Sequence, residues 1–152
     1  MSERKIIEVG NIDDIAYSEE GILESFGFNG CTGILVYGEN SKKHYGILGH
    51  YVLTSNEKMF SDVKDVLNNK NPEEFKNHGV IIYPNDHLDK TIFEVKDFLK
   101  EVIPEISITD FSYGYIQGPI IDYIRKNGTR EIKLNVDNGE WKAWFNKKPK
   151  RF

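Results

Sequence analysis

Two apolar runs, Cys31-Thr-Gly-Ile-Leu-Val-Tyr37 and His44-Tyr-Gly-Ile-Leu-Gly-His50-Tyr-Val-Leu53, decide the fold of this chain. Both runs are rich in β-branched, aromatic and other apolar residues, which is typical of buried strands. The polar turn Gly38-Glu39-Asn40-Ser41 lies between them. Because a short polar turn joins the two runs, we predict a hairpin that brings two strands side by side.

Helical and strand patterns alternate along the rest of the chain. Residues 5–9 predict a strand, Thr54-x-x-Glu57 has the form of a capping box that opens a helix, and 79–83 predict a further strand. Asp86 is a candidate cap for a second amphipathic helix that Pro104 ends.

The last third of the chain predicts strands again. Ile106 and Ile108 alternate with polar residues as an edge or half-buried strand would, whereas 111–123, a stretch rich in Tyr, Gly and Pro, resists assignment. An Asn-Gly turn at Asn138 separates alternating residues 132–136 from 141–145, which favours a hairpin. We therefore expect a single α/β domain over 1–152, of the mixed α+β kind, with a mostly antiparallel or mixed sheet or sandwich packed by two main helices.

Composition excludes several classes of function. The chain has 152 residues, a net charge of −4 and interspersed charges, which provide no electrostatic footprint for nucleic acid or for an anionic membrane. No window approaches the roughly 20 apolar residues of a membrane span, and no secretory leader is evident, so we expect a cytoplasmic protein without membrane insertion. The single cysteine excludes an internal disulfide and a four-cysteine zinc site, and we expect no metal or organic cofactor.

The single cysteine, Cys31, is the first candidate for chemistry. Gly27, Gly30 and Gly33 surround it, and glycines allow the sharp turns that leave backbone N–H groups free to stabilise an oxyanion. A thiol also needs a base, and His50 lies on the neighbouring strand of the predicted hairpin. The alternatives are a buried, inert thiol and a plain tight turn into the strand.

The other histidines are weaker candidates. We expect His44, beside two lysines at the turn end of the hairpin, to be exposed to solvent. His78 and His87 lie next to turn signals, and the sequence identifies no partner for them.

Four stretches of the sequence together resemble one known family. They are Glu8-Val-Gly-Asn-Ile-Asp-Asp-Ile-Ala-Tyr-Ser18, residues 23–37, His50-Tyr-Val-Leu-Thr-Ser55 and residues 128–140. In this order they are similar to the opening strand and loop, the cysteine segment, the histidine segment and the closing hairpin of the chemoreceptor glutamine deamidases (CheD). Through that family the chain resembles the wider cysteine deamidase group that includes cytotoxic necrotizing factors.

The resemblance implies a set of roles. Cys31 would be the nucleophile, His50 the general base, and Ser25 would stand in the place of the family's supporting threonine. Asn29 and Gly30, which replace the residues usual before the cysteine, would supply backbone support for the oxyanion.

These roles predict a hydrolase, a cysteine-dependent protein glutamine deamidase that works through a thioester. Its partner would be a protein with an exposed glutamine, such as a chemoreceptor in chemotaxis or another signalling protein, in the same cytoplasm or in a cell into which the chain is delivered. We place substrate specificity in 11–20, 84–87 and 111–125, since loops on a rigid scaffold commonly carry recognition.

Two alternatives stay open at this point. The first is a non-catalytic binding module that docks on a receptor or signalling partner, with Tyr113, Tyr115 and Tyr123 as a candidate contact surface. The second is another Cys-His enzyme, a peptidase or an acyltransferase, which shares the nucleophile and the base.

Overall fold

The two apolar runs form adjacent antiparallel strands, as the sequence predicts. They are Cys31–Glu39 and His44–Val52, with Cys31 opposite Val52 and Glu39 opposite His44. The computed structural model describes residues 5–28, 30–52, 56–84, 89–113 and 131–143.

The described elements are nine strands, two α-helices and one 3₁₀ turn. In chain order they are β1 (Ile6–Glu8), β2 (Asp14–Ser18), β3 (Ile22–Ser25), β4 (Cys31–Glu39), β5 (His44–Val52), α1 (Asn56–Val66), a single 3₁₀ turn (Pro72–Glu74), β6 (Lys76–Pro84), α2 (Asp89–Val102), β7 (Ser107–Tyr113), β8 (Ile132–Asn135) and β9 (Trp141–Ala143).

These strands form two mixed sheets. The central sheet has the order β2-β5-β4-β6-β7, in which only β6 and β7 run parallel. The second sheet has the order β1-β3-β8-β9, in which only β1 and β3 run parallel. The predicted class, a mixed α+β fold with a mixed sandwich and two main helices, is confirmed.

The alternation of side chains along β4 separates two apolar cores. Ile34 and Val36 pack with α1 and α2 on one face of the central sheet. Leu35 and Tyr37 pack on the other face with the second sheet, against residues that include Leu134. A strand that is buried on both faces explains why this run is apolar at nearly every position.

Both helices present one apolar stripe to the central sheet. Met59 and Val63 are buried on α1, and Val95 and Leu99 are buried on α2, at the three- to four-residue spacing of an amphipathic helix. The predicted caps at Thr54 and Asp86 lie outside the described residues. Neither of the two described helices has the length and apolarity needed to cross a membrane.

The hairpin predicted at Asn138 is confirmed. β8 and β9 pair antiparallel with Leu134 opposite Trp141, and Gly139 takes a φ of 78° in the turn. β7, the strand predicted from Ile106 and Ile108, is an edge strand of the central sheet.

Two sequence expectations are corrected. Residues 11–20 are not a loop throughout, because Asp14–Ser18 form an edge strand that pairs antiparallel with β5. Pairing with a buried neighbour outweighs the weak strand signal of this polar stretch. In the unassigned region, β7 continues to Tyr113, whose side chain is buried and so does not belong to a surface for a partner.

Candidate active site

The structure brings Ser25, Cys31 and His50 together between the two sheets. Ser25 ends β3 in the second sheet, Cys31 begins β4, and His50 lies near the end of β5. His50 pairs with Gly33, while Cys31 pairs with Val52. Cys31 and His50 therefore occupy diagonal positions on one face of the central sheet, where Cα atoms lie about 7–8 Å apart.

A chain of hydrogen bonds determines which nitrogen of His50 carries its proton. The Ser25 hydroxyl donates to the carbonyl oxygen of Val9, at 2.7 Å, and lies 2.9 Å from His50 Nδ1. A hydroxyl has one hydrogen, and Val9 receives it. Nδ1 must therefore be the donor to Ser25 Oγ, which leaves the lone pair of the neutral ring on Nε2.

That second nitrogen is buried and available. His50 is only 4% exposed, and within the described part of the chain Nε2 has no hydrogen-bond partner. Buried polar atoms without a partner are rare and call for an explanation. Here the unpaired atom is a proton acceptor on the same face as a thiol. The sheet register, and not a thiol–imidazole hydrogen bond, sets Nε2 on the same face as Cys31.

The ring of His50 is held in place by Phe28. The two rings stack with their centroids 3.9 Å apart and their planes at 13°. Gly33 leaves the space for this stack, because a Cβ there would lie 3.1 Å from Phe28 Cε1 and 2.5 Å from Ile132 Cδ1. Gly33 thus allows Phe28 to pack closely over the imidazole of His50.

Burial keeps His50 uncharged near neutral pH. Desolvation lowers its pKa to about 4, while the nearby carboxylate of Asp13 opposes this shift. Asp13 has a φ of 64°, its N–H donates to the His50 carbonyl at 2.6 Å, and its Oδ1 accepts from the Val52 N–H at 3.0 Å. Asp13 therefore stabilises the backbone on both sides of Tyr51, and its charge raises the pKa of His50 against the larger effect of burial.

Tyr113 holds the backbone on the cysteine side. The Gly30 N–H donates to Tyr113 Oη at 3.1 Å, and the same hydroxyl donates to the carbonyl of Cys31. The Gly30 N–H, which the sequence offers as an oxyanion donor, is therefore engaged by Tyr113 in this structure. The other supporting residue expected there, Asn29, lies outside the described residues.

His44 and His78 lie away from this site. His44 is half-buried and not fully exposed as expected, because its Nδ1 lies 2.6 Å from the Tyr37 hydroxyl. His78 pairs with Tyr37 across β4 and β6, and His87 lies outside the described residues. Among the side chains that the structure describes, no group of three His, Cys, Asp or Glu is arranged to hold a metal ion.

A cavity of about 330 Å³ opens at the opposite end of β4. Tyr37, Glu39 and His78 contribute to its lining, with Trp141 from the second sheet. Ser25, Cys31 and His50 do not line it. The cavity is therefore separate from the candidate active site.

Sequence reasoning missed three residues that complete the site. Phe28 is close enough to Cys31 in the sequence for an aromatic ring to be considered, and Asp13 belongs to the residue types that tolerate a positive φ. Tyr113 is 82 residues from Cys31 in the sequence, and no local signal connects the two.

No protein-family model matches this chain, and no curated protein is similar to it in sequence.

Proposed function

We propose that this protein is a cysteine-dependent amidohydrolase that converts protein glutamine to glutamate, with Cys31 as nucleophile and His50 as general base. The observation that carries the proposal is the buried, unpaired Nε2 of His50, on the same face of the central sheet as Cys31. Ser25 supports it from the other side, since its hydroxyl keeps the proton of His50 on Nδ1.

The charge state of His50 suits a general base. With a pKa of about 4, the imidazole is neutral at the pH of a cell and can accept a proton. The resting pair is then an uncharged thiol beside an uncharged imidazole. Proton transfer accompanies attack, so the nucleophile is generated only when a substrate carbon is in reach.

The proposed reaction has two halves. Cys31 Sγ forms a bond to the carboxamide carbon as its proton passes to Nε2, and Nε2 delivers that proton to the departing nitrogen, so that ammonia leaves and a thioester remains. A water molecule then gives a proton to Nε2 and attacks the thioester. The carboxylic acid leaves, and Cys31 Sγ recovers its proton from Nε2.

The burial of Cys31 favours a slender substrate. Its side chain lies between two sheets and is 7% exposed. A carboxamide at the end of a flexible glutamine side chain can enter a narrow approach, whereas a main-chain peptide bond carries bulky groups on both sides. This observation favours a deamidase over a peptidase.

The test is ammonia release from glutamine-containing peptides, with the matched asparagine peptides and substrate-free enzyme as blanks. We expect wild type to release ammonia in step with the mass change from glutamine to glutamate, and Cys31→Ser and His50→Ala to lose at least about a hundredfold in rate. A Cys31→Ser variant as active as wild type would refute the mechanism. Incorporation of an added amine in place of water would identify an acyltransferase.

The alternative of a binding module has less support. Of its three proposed contact residues, Tyr113 is buried and engaged with the backbone at Cys31. Tyr115 and Tyr123 lie outside the described residues. An inert Cys31 together with tight binding of a partner would restore this alternative.

A further inference from the structure

The ladder between β4 and β6 cannot continue to the cysteine. Gly33 pairs with Ile82, so two further steps of the same register set Cys31 opposite Pro84. Proline has no backbone N–H and cannot supply the hydrogen bond that a ladder would offer to the Cys31 carbonyl. The backbone of the nucleophile therefore needs another donor.

Tyr113 supplies that donor from one strand further away. It pairs with Pro84 in the parallel ladder of β6 and β7, and its side chain reaches back to Cys31. Its hydroxyl gives its one hydrogen to the Cys31 carbonyl and accepts the Gly30 N–H at 3.1 Å. The Tyr113 hydroxyl thus forms hydrogen bonds with both the Gly30 N–H and the Cys31 carbonyl.

The surroundings of Tyr113 make this contact specific. The side chain is 4% exposed and belongs to the apolar core between the sheets. Gly30 takes a φ of 100°, a conformation that L side chains rarely adopt, so the chain bends just before β4 begins. The hydroxyl spans this bend and fixes the direction in which the cysteine enters the sheet.

We propose that Tyr113 is a positioning residue that orients the Cys31 thiol toward His50 by holding the Gly30–Cys31 backbone. The expected effect on the reactivity of Cys31 rests on the proposed function, whereas the hydrogen bonds of Tyr113 do not depend on it. Displacements near 1 Å at a reacting group can cost about a hundredfold in rate, so loss of this contact should slow the thiol without removing the base.

The experiment compares Tyr113→Phe with Tyr83→Phe in the full chain. Tyr83 is a suitable control because its hydroxyl bonds to Asp110 at 3.2 Å and its ring packs against the core on the helix side of the central sheet. The rate of Cys31 alkylation by iodoacetamide is measured from pH 3 to pH 9. Hydrogen exchange of the Gly30 amide is followed by NMR on the same samples.

We expect the alkylation rate to rise with pH to a constant value, and Tyr113→Phe to lower that constant rate about tenfold. The pH at which the rate reaches half of this value should not change, because His50 keeps its surroundings. The Gly30 amide should exchange at least about tenfold faster, since it lies outside the strand ladders and loses its acceptor. Tyr83→Phe should stay within about twofold of wild type in both measurements. Equal alkylation rates in the two variants would overturn the proposal.

Two further arms keep the proposal separate from the proposed function. If Tyr113→Phe does not fold, the double variant Tyr113→Phe/Pro84→Ala takes its place, because alanine restores a backbone N–H at the ladder position. Hydrogen exchange of the Gly30 amide in wild type is a separate measurement, and an unprotected amide there would overturn the contact. If His50→Ala alkylates as fast as wild type, the proposed function fails. In that case faster Gly30 exchange in Tyr113→Phe still supports the hydrogen bonds, but positioning toward a base is overturned.

Discussion

Ser25 donates no hydrogen bond to His50; its hydroxyl oxygen accepts one from Nδ1–H. Its own hydrogen goes to the Val9 carbonyl, at 2.7 Å, so the bond of 2.9 Å to Nδ1 must run from the imidazole to the hydroxyl. This direction decides the tautomer and leaves Nε2 as the acceptor. It also makes the contribution of Ser25 testable apart from that of Cys31.

Ser25→Ala should slow the reaction of Cys31 by at least about tenfold, because the Nδ1–H loses its acceptor and the ring is free to change tautomer. Ser25→Thr is the matched control, since it keeps the hydroxyl. The measurements are alkylation rates and ¹⁵N chemical shifts of His50, which distinguish the two tautomers. Unchanged nitrogen shifts in Ser25→Ala would contradict the assigned direction.

His50 should make the protein less stable in mild acid. Its pKa is about 4 when folded against an ordinary 6.5, so the unfolded chain binds more protons between these values. The contribution of the histidine to stability is therefore complete above pH 6.5 and falls as the pH drops toward 4, by about 3 kcal/mol at most. Urea unfolding at pH 7 and at pH 4.5 measures the change in the free energy of unfolding. This free energy should fall less in His50→Gln than in wild type, because the contribution of the histidine is absent. The same dependence on pH in wild type and His50→Gln would show that other groups are responsible.

The carboxylate of Asp13 should change the pKa of His50. This carboxylate raises the pKa of His50 against the larger effect of burial, so Asp13→Asn should lower that pKa further. Asparagine keeps the Oδ1 acceptor for the Val52 N–H and tolerates the φ of 64°. The NMR titration of the His50 ring is the measurement, and a pKa that rises in Asp13→Asn would be incompatible with this account.

Asp13→Ala is the companion variant. It removes the side-chain acceptor and places a residue with poor tolerance for positive φ at this position, so we expect a loss of about 1–3 kcal/mol in the free energy of unfolding. Asp13→Asn should lose less than half as much. Equal losses in the two variants would show that the charge, and not the backbone contacts, matters for stability.

Gly33→Ala should disturb the histidine through Phe28. The new Cβ would lie 2.5 Å from Ile132 Cδ1 and 3.1 Å from Phe28 Cε1, so the stack on His50 must shift. We expect a loss of about 1–3 kcal/mol in unfolding free energy together with a changed His50 ring shift by NMR. Gly10→Ala is the control, because the nearest atom to its Cβ would be 3.7 Å away. A Gly33→Ala protein as stable as Gly10→Ala would show that the core accepts the methyl group.

Much of the fold was accessible from local patterns. The apolar runs at 31–37 and 44–53, the turn between them and the Asn138 hairpin predicted strands that the structure contains, because alternation and turn chemistry are local properties. The strand at Asp14–Ser18 was missed because its stability comes from pairing with β5, which no local pattern encodes.

The sequence by itself determined the candidates for chemistry: one cysteine, a histidine on the adjoining strand, and a serine six residues before the cysteine. Only the tertiary structure decided their relationship. The register put Cys31 and His50 on one face, the packing of the second sheet brought Ser25 and Val9 to Nδ1, and β7 carried Tyr113 to the cysteine backbone. Tautomer, burial and backbone support all depend on contacts between residues far apart in the chain, and such contacts are decided by packing.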